Sequence, residues 1–429
     1  MTRKTILVLA YSISPIRGSE YSVGWNYIRE MSQDHNLIVL YGSAGEHMGD
    51  LDEVAKSPIC QDLPNVQWVP VIPSGFTYWL NSFNRKGILI YTFYVAYRFW
   101  QKQAYQQAQQ LVKNHLIDLI HYLGPIGYRE PGYLWKIEKP LIWGPVGGVD
   151  NRSVRLAFEK GLVTGLKIAV RNLTNTLQLR FSPRVRMAFK RADFLFSSTT
   201  RVQARIKTVH GVESTPMPEN AITDSMYARQ RRVSVIPGHT VNLIWVGRID
   251  ERKSLDILIK ALAPLRAGPW SLTVIGDGPL RSQCAELSRD LGLESQLTWA
   301  GKLSREQVNE FYQNSHVHVI TSLLEGNPTV ILEAMSFGIP TITLDHFGMH
   351  DTVCQKCGIK VSVAGSLQSI VEDLTHSILK LIKNPQIIEE LSKGVEGCSQ
   401  HFSWKQRRAD WGGYYDMAIS NWQQRQHRR

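Results

Sequence analysis

Two carboxylates, Glu325 and Glu333, stand eight residues apart in the run Glu325-Gly326-Asn327-Pro328-Thr329-Val330-Ile331-Leu332-Glu333. A short apolar strand, Val317-His318-Val319-Ile320, leads to Thr321-Ser322. Gly326 and Pro328 then permit a tight turn, and apolar residues from 330 to 335 open a helix. The first amides of a helix lack intrahelical partners, so they would face an anion such as a diphosphate. Glu325 lies in the loop before those amides and Glu333 about two turns into the helix. One carboxylate is thereby placed to reach a sugar and the other a ribose hydroxyl.

The elements that must hold these residues follow from length and pattern. The chain has 429 residues, 43% of them hydrophobic, enough for two ordinary domains and two cores. Apolar runs at 5–10, 36–41, 66–72, 117–122 and 140–143 read as strands of an α/β domain with a mainly parallel sheet. A second series starts at 241–246 and continues at 272–275, 297–299, 317–320 and 340–344, with helical patterns at 255–265, 279–291 and 304–314 between. Two Rossmann-like halves result, joined by the polar, Pro-containing stretch around 213–239, and ligand is expected in the cleft between them.

The first strand, Ile6-Leu7-Val8-Leu9-Ala10, is too short for an export signal, and five cysteines make no disulfide framework, so a reducing cytoplasm is expected. The net charge of +12 is uneven: residues 1–230 hold 27 Lys and Arg against 17 Asp and Glu. Nucleic acid, a membrane surface or a phosphorylated lipid would each suit such a field. Aromatic residues crowd 76–100 around Arg85, Lys86 and Arg98, and ten basic residues between 152 and 191 face Glu159 as the lone acid. Neither stretch holds a spanning apolar run; a surface-lying helix and an ordinary packed face both fit.

With Val246-Gly247-Arg248…Lys253-Ser254-Leu255 and Val274-Ile275-Gly276-Asp277-Gly278-Pro279-Leu280 upstream and in order, the run from 325 to 333 resembles the E-x7-E signature of family-four retaining glycosyltransferases. Around Arg17-Gly18-Ser19-Glu20…Val23-Gly24-Trp25-Asn26 the chain is more loosely similar to a bacterial polysaccharide-assembly subgroup. The resemblance implies a GT-B fold, two Rossmann-like doubly wound domains facing a cleft. An acceptor-binding domain would span 1–220 with 404–429 packed back on it, and a nucleotide-sugar-binding domain 235–403. Trp404, Trp411, Tyr414 and Tyr415 would anchor that returning helix.

By the same resemblance Arg248 and Lys253 neutralise the donor diphosphate, one as a planar fork and the other as a mobile point charge. Glu325 contacts the donor sugar and Glu333 the ribose, while backbone around Asn327, Thr329 and Val330 lines the phosphates. Gly276, Gly278 and Leu280 let a base approach, although an ordinary strand-to-helix turn uses the same residues. Gly18 lets its loop close over the phosphates, and Glu20 helps hold donor or acceptor. Many family members end the strand near 117–122 in His-x-His; here His121-Tyr122-Leu123 puts Leu123 at the second position. His121 stays a catalytic candidate beside the alternative of a structural strand-end histidine, and Arg129 and Glu130 are assigned to the acceptor side.

Metal signals are weaker. Asp50-Leu51-Asp52 reads as coincidence, and His346, His350, Cys354 and Cys357 have zinc-compatible spacing but fall where the family has a donor-side loop, so no metal and no cofactor are expected. The expected activity is that of a metal-independent retaining hexosyltransferase, with nucleotide-sugar as substrate. It would act on a saccharide or polyprenyl-diphosphate-linked saccharide in cell-surface polysaccharide biosynthesis. The protein would be cytoplasmic, peripheral on the inner face of the membrane, and without a nucleic-acid partner. A nucleotide-sugar epimerase or a phosphorylase on the same fold is a second reading, and a non-catalytic sugar-nucleotide-binding partner, prompted by Leu123, a third.

Overall fold

Strands form where apolar residues are covered on both faces: Ile6, Leu7, Val8 and Leu9 have no exposed surface, as parallel sheets wrapped by helices require. The computed structural model describes residues 2–15, 20–42, 54, 56–89, 92–124, 127–227 and 229–428, with Glu20 described by its backbone alone. Gly18 and the Asp50-Leu51-Asp52 run lie outside the described residues. Two units emerge, one of residues 1–151, 173–220 and 408–429, the other of residues 152–172 and 221–407.

The first unit holds β1 (Thr5–Ala10), β2 (Asn36–Gly42), β3 (Val66–Val71), β4 (Leu119–Gly124), β5 (Leu141–Val146), β6 (Phe194–Ser197) and β7 (Thr215–Pro216). They form one sheet in the order β3-β2-β1-β4-β5-β6-β7, every neighbouring pair parallel. The sequence reading has the first five; β6 and β7, four and two residues long, are not in it. The aromatic stretch becomes two helices, Gly75–Arg85 and Thr92–Asn114, the second burying Tyr97, Trp100 and Ala104. From the final helix, Trp404–His427, Trp411 and Tyr415 are buried in this unit, and the Trp411 ring lies 4.8 Å from that of Phe196.

The second unit holds β8 (Val241–Val246), β9 (Trp270–Ile275), β10 (Leu297–Gly301), β11 (Val317–Ile320), β12 (Thr341–Leu344) and β13 (Gly358–Val361), ordered β10-β9-β8-β11-β12-β13 and again all parallel. The predicted helix at 255–265 is Leu255–Leu262 closed by a 3-10 turn, Ala263–Leu265, because Pro264 has no amide hydrogen to continue the α-helix. The helix Arg305–Gln313 starts at a capping box: Ser304 Oγ accepts from the Gln307 amide, and Gln307 Oε1 accepts from the Ser304 amide.

One boundary differs from the sequence reading. Residues 152–172, placed there in the first domain, group with the second unit. Leu156 joins the second unit's core, Glu159 accepts the Leu367 amide at 2.6 Å, and Lys160 bonds Ser254 Oγ at 2.8 Å. The helix Leu162–Phe181 thus begins in one unit and ends in the other.

In each sheet the strand order reverses once, between β1 and β4 and between β8 and β11. Loops leaving the carboxyl ends of two such strands diverge, opening a crevice that suits a ligand.

Candidate functional site

In the second unit the reversal falls between the two strands whose following loops carry the candidate cations and the first carboxylate. Leaving β8, the chain runs Gly247-Arg248-Ile249-Asp250-Glu251-Arg252-Lys253-Ser254 into the helix Leu255–Leu262. Asp250 Oδ1 accepts the amides of Arg252 and Lys253 at 3.1 and 3.0 Å, folding the loop into an Asx-type turn. Ser254 takes a left-handed conformation at φ 48°, which ends the turn and aims the preceding Lys253 inward. The Lys253 side chain crosses Gly247, whose missing Cβ would touch its stem at 3.6 Å.

Leaving β11, the loop 321–328 is laced to this turn. The Leu323 amide donates to Arg252 O at 2.8 Å, and Thr321 Oγ1 donates to Lys253 O at 3.1 Å. These bonds bring the Lys253 ammonium onto the Glu325 carboxylate as an ion pair, with side-chain exposures of 10% and 11%. Arg248 instead extends into solvent, 69% exposed, with Asp250 3.8 Å away. The unit therefore presents one solvent-exposed cation and one cation already holding a carboxylate.

Glu333 follows on the helix Thr329–Ser336, little more than one turn from its start and not the two turns expected from the sequence. Tyr312 donates to it at 3.4 Å, and burial pushes its carboxyl above the usual range against the opposing charges of Arg305 and Lys253. The helix start is partly spoken for, since the Thr329 amide turns back onto Asn327 O at 2.9 Å and the Ile331 amide onto Pro328 O at 2.9 Å. Val330 packs its side chain on the core. Asn327 Oδ1 and Ser322 Oγ are buried without a hydrogen-bond partner among the described residues, so this loop retains unused polar capacity.

Gly276 and Gly278 have a structural account of their own. A Cβ on Gly276, at φ 132°, would overlap Gly247 O, and one on Gly278 would overlap Ile249 O. The two loops lie that close because Ile249 donates to Asp277 O at 3.0 Å and Leu280 donates to Ile249 O at 3.1 Å. These glycines seat the β9 loop against the β8 loop that carries Arg248 and Lys253. Sequence reasoning passed over Arg152 as a site residue. Burial, then the charge of Arg252, holds its guanidinium below the usual arginine range, and Asp250 and Glu251 counter that, which puts it beside the same turn.

In the first unit the structure redirects two candidates. His121 on β4 is wholly buried. Gly144 O can only accept, so His121 Nε2 donates to it at 3.0 Å; Nδ1 then accepts from Tyr27 Oη at 2.7 Å, and Tyr27 Oη accepts from Tyr415 Oη at 2.6 Å. Burial lowers its pKa to about 4. With both nitrogens committed inside the unit, His121 is a core histidine, and the catalytic assignment gives way to the structural one. Leu123, at the family's second histidine position, is buried too.

Glu130 is likewise interior, 4% exposed, its carboxylate clamped by Arg98 and by Arg184 Nη1 at 2.8 Å. Both carboxylate oxygens are occupied by guanidinium groups, which ties the helix Pro183–Arg191 and the helix Thr92–Asn114 to the loop after β4. An acceptor contact through that carboxylate is replaced by a scaffold role. Its neighbour Arg129 is half-buried and bonds Asn175 Oδ1 at 2.7 Å. Glu20 opens the helix Glu20–Met31. The histidines weighed for zinc are also engaged: His346 Nε2 donates to Ser322 O at 2.8 Å, and His350 Nδ1 lies 2.6 Å from Asp345 Oδ1.

Comparison with known proteins agrees with this architecture. Residues 227–395 match the family model "Glycosyl transferases group 1". A lipopolysaccharide 1,6-galactosyltransferase of Salmonella typhimurium is 32% identical over 145 residues, 33% of this chain and 40% of that protein. The chain thus matches well under half the length of that relative. A solved lipopolysaccharide outer core galactosyltransferase aligns over 98% of both chains with a TM-score of 0.62 and 17% identity. An Anabaena protein solved with UDP and glucose aligns over 96% of this chain and 99% of its own, with a TM-score of 0.59 and 15% identity. At such identities the two structural likenesses are likenesses of fold. The chain therefore has the GT-B fold, and residues 227–395, within its second unit, are similar to a glycosyl transferases group 1 domain.

Proposed function

We propose that this protein transfers a sugar from a nucleotide-sugar donor to a saccharide acceptor in the assembly of a cell-surface polysaccharide, with retention at the anomeric carbon and without a catalytic metal. The observation that carries the reading is the Lys253–Glu325 ion pair between the loops leaving β8 and β11, at the reversal of strand order. A lipopolysaccharide galactosyltransferase among the relatives supports the substrate class.

Breaking an anomeric C–O bond leaves negative charge on a nucleoside diphosphate, and neutralising it is the largest demand on the site. Arg248, exposed and with Asp250 no nearer than 3.8 Å, closes onto the phosphates as a fork. Lys253 transfers part of its attention from Glu325 to the diphosphate, and this frees the carboxylate to accept from hydroxyls of the donor sugar. Glu333, steadied by Tyr312, takes the ribose. The acceptor hydroxyl attacks on the face from which the diphosphate departs, and the departing phosphate oxygen takes its proton, so no protein nucleophile is needed. Gly276 and Gly278 keep the β9 loop against the cationic loop throughout.

The acceptor in this reading is lipid-borne and meets the enzyme at the inner face of the cell membrane. Among the described residues no helix is long and apolar enough to cross a membrane. Yet the helix Leu162–Phe181 exposes Leu162, Leu166, Val170, Leu173, Leu177 and Phe181, which fall within one stripe about 100° wide at 100° per residue. Lys167 and Arg171 lie beyond one edge of it. Phe76, Tyr78 and Trp79 are about half exposed on the helix Gly75–Arg85. Apolar faces bordered by cations suit an anionic leaflet.

The test is nucleoside diphosphate release from a panel of nucleotide-sugars, wild type beside Glu325→Ala, with and without a lipid extract. Release from one donor that requires Glu325 and rises with lipid is expected. Tight nucleotide binding with no release from any donor would replace this reading by that of a non-catalytic sugar-nucleotide-binding protein.

A further inference from the structure

Three of the five cysteines, two of them close in sequence and the third 44 residues beyond the first, are unused by the proposed chemistry and converge in the second unit. Cys354 and Cys357 flank a tight loop between the helix Phe347–Thr352 and β13, and Cys398 lies on the helix Gln386–His401. Their sulfur atoms all lie within 4.8 Å of one another, with Cys354 Sγ 2.9 Å from Cys398 Sγ and 3.5 Å from Cys357 Sγ.

The convergence is built. Gly394 stands one turn before Cys398, and a Cβ there would overlap Lys356 O, in the middle of the Cys-x-x-Cys loop. The glycine lets the helix backbone rest directly on the loop, and Cys398, four residues on and on the same face, is thereby set over the other two sulfurs. Within the loop the Cys357 amide donates to Cys354 O at 3.1 Å and the Cys354 amide points at Cys357 Sγ at 3.3 Å.

We propose that Cys354, Cys357 and Cys398 form a three-thiolate site for a soft divalent cation of the zinc class. Zinc–sulfur bonds of about 2.3 Å in a tetrahedron separate the sulfurs by about 3.8 Å, so the 2.9 and 3.5 Å pairs need to part by less than about 1 Å to hold the ion. Cys357 is buried while Cys354 and Cys398 are half-buried, and a water would complete the tetrahedron. On binding, the three thiols release three protons and the metal–trithiolate carries one net negative charge. Neither His346 nor His350 belongs to the site, which departs from the expectation of no metal and from the ligand set weighed on spacing. The role is structural: the helix Phe347–Thr352 ends at this cluster, while near its start the Gly348 amide donates to Glu325 O at 3.0 Å. A metal there pins the far end of the helix that buttresses the Glu325 loop, whatever reaction that loop serves.

The experiment is cadmium titration of the reduced full-length protein, followed by the thiolate-to-metal charge-transfer absorption, with cysteine alkylation mapped by peptide mass. One ion per chain is expected, with Cys354, Cys357 and Cys398 protected from alkylation and Cys60 and Cys284 unaffected. Cys398→Ser should weaken binding by more than ~10-fold, and Cys284→Ser should leave it unchanged. Should Cys398→Ser fold poorly, the wild-type alkylation map decides alone. No charge-transfer band, protection of other cysteines, or a Cys354–Cys398 disulfide formed in place of metal binding would overturn the proposal.

Discussion

The Lys253 ammonium and the Glu325 carboxylate, 72 residues apart, form an ion pair in which each side chain is about nine-tenths buried. A pair withdrawn from water to this extent is held by geometry, because desolvation offsets most of its attraction. Removing one partner strands the other. Lys253→Ala is therefore expected to lower turnover by ~10²- to 10³-fold while costing about 1–3 kcal/mol of stability. Lys253→Met with Glu325→Gln should recover most of the stability and none of the turnover. A double-variant loss equal to the sum of the two single-variant losses, read by denaturant titration, would show that the pair is not coupled.

Two glycines in this unit make opposite predictions. Gly276→Ala forces a Cβ into Gly247 O at a backbone angle that L residues avoid, and about 3 kcal/mol or more should be lost. Gly326, in the Glu325 loop, has open space where its Cβ would stand, so Gly326→Ala should stay within about 0.5 kcal/mol. Denaturant titration of both variants separates a glycine needed for packing from one that packing does not require.

What the sequence made legible follows from the length of each signal. The paired sheets showed because Ile6 to Ala10 and Val241 to Val246 are continuous apolar runs, and the loops of Lys253 and Glu325 stood out because three spaced motifs fall in one order. β6 and β13 are four residues each, as are β11 and β12, but they lack the adjoining motif run that drew attention to those two. His121 and Glu130 looked chemical because their types are chemical; only the Tyr27–Tyr415 relay and the Arg98 and Arg184 clamp, closed by residues up to 294 positions away, reveal them as interior fixtures. The cysteine site was half visible: Cys354 and Cys357 show a spacing, but Cys398 joins them through a helix contact that no local pattern announces.

Glu130 offers a direct separation of scaffold from site. Glu130→Gln leaves two guanidinium groups facing a neutral amide at a position 4% exposed, and a loss of about 3–5 kcal/mol is expected. Turnover per folded molecule should stay within about threefold of wild type, a shift of under 1 kcal/mol in the barrier. A large fall in turnover with little loss of stability would return Glu130 to the acceptor side.

His121 couples stability to pH. Its pKa is about 4 in the folded unit because burial disfavours the cation, against about 6.5 in an unfolded chain. The unfolded state therefore binds the proton first, and stability present above pH 6.5 is lost as pH falls toward 4. Between pH 7 and pH 5 this residue should account for about 2 kcal/mol of lost stability. His318, lowered to about 3 by burial and by the charge of Lys253, adds a loss of the same sign. His121→Gln keeps an acceptor for Tyr27 and a donor for Gly144 without a titrating group. Its denaturation free energy should fall by about 2 kcal/mol less than that of wild type over the same interval. An identical pH slope in both proteins would refute the assignment.

The exposed aromatics of the first unit test membrane association. Trp79 and Phe76 are 55% and 53% exposed, with ring centroids 5.9 Å apart, and Arg85 lies over the nearby Tyr78 ring at 4.3 Å. If this face enters the headgroup region, each ring removes on the order of 100 Å² from water, worth about 2 kcal/mol at ~25 cal/mol/Å². Trp79→Ser with Phe76→Ser should then lower co-sedimentation with anionic vesicles by at least ~10-fold in affinity, while soluble-acceptor turnover holds. The two contributions, apolar and electrostatic, respond differently to salt, because screening reaches the cations and leaves the rings untouched. Binding that vanishes at high salt in wild type and is indifferent to both substitutions would mean that the basic residues alone hold the protein at the surface.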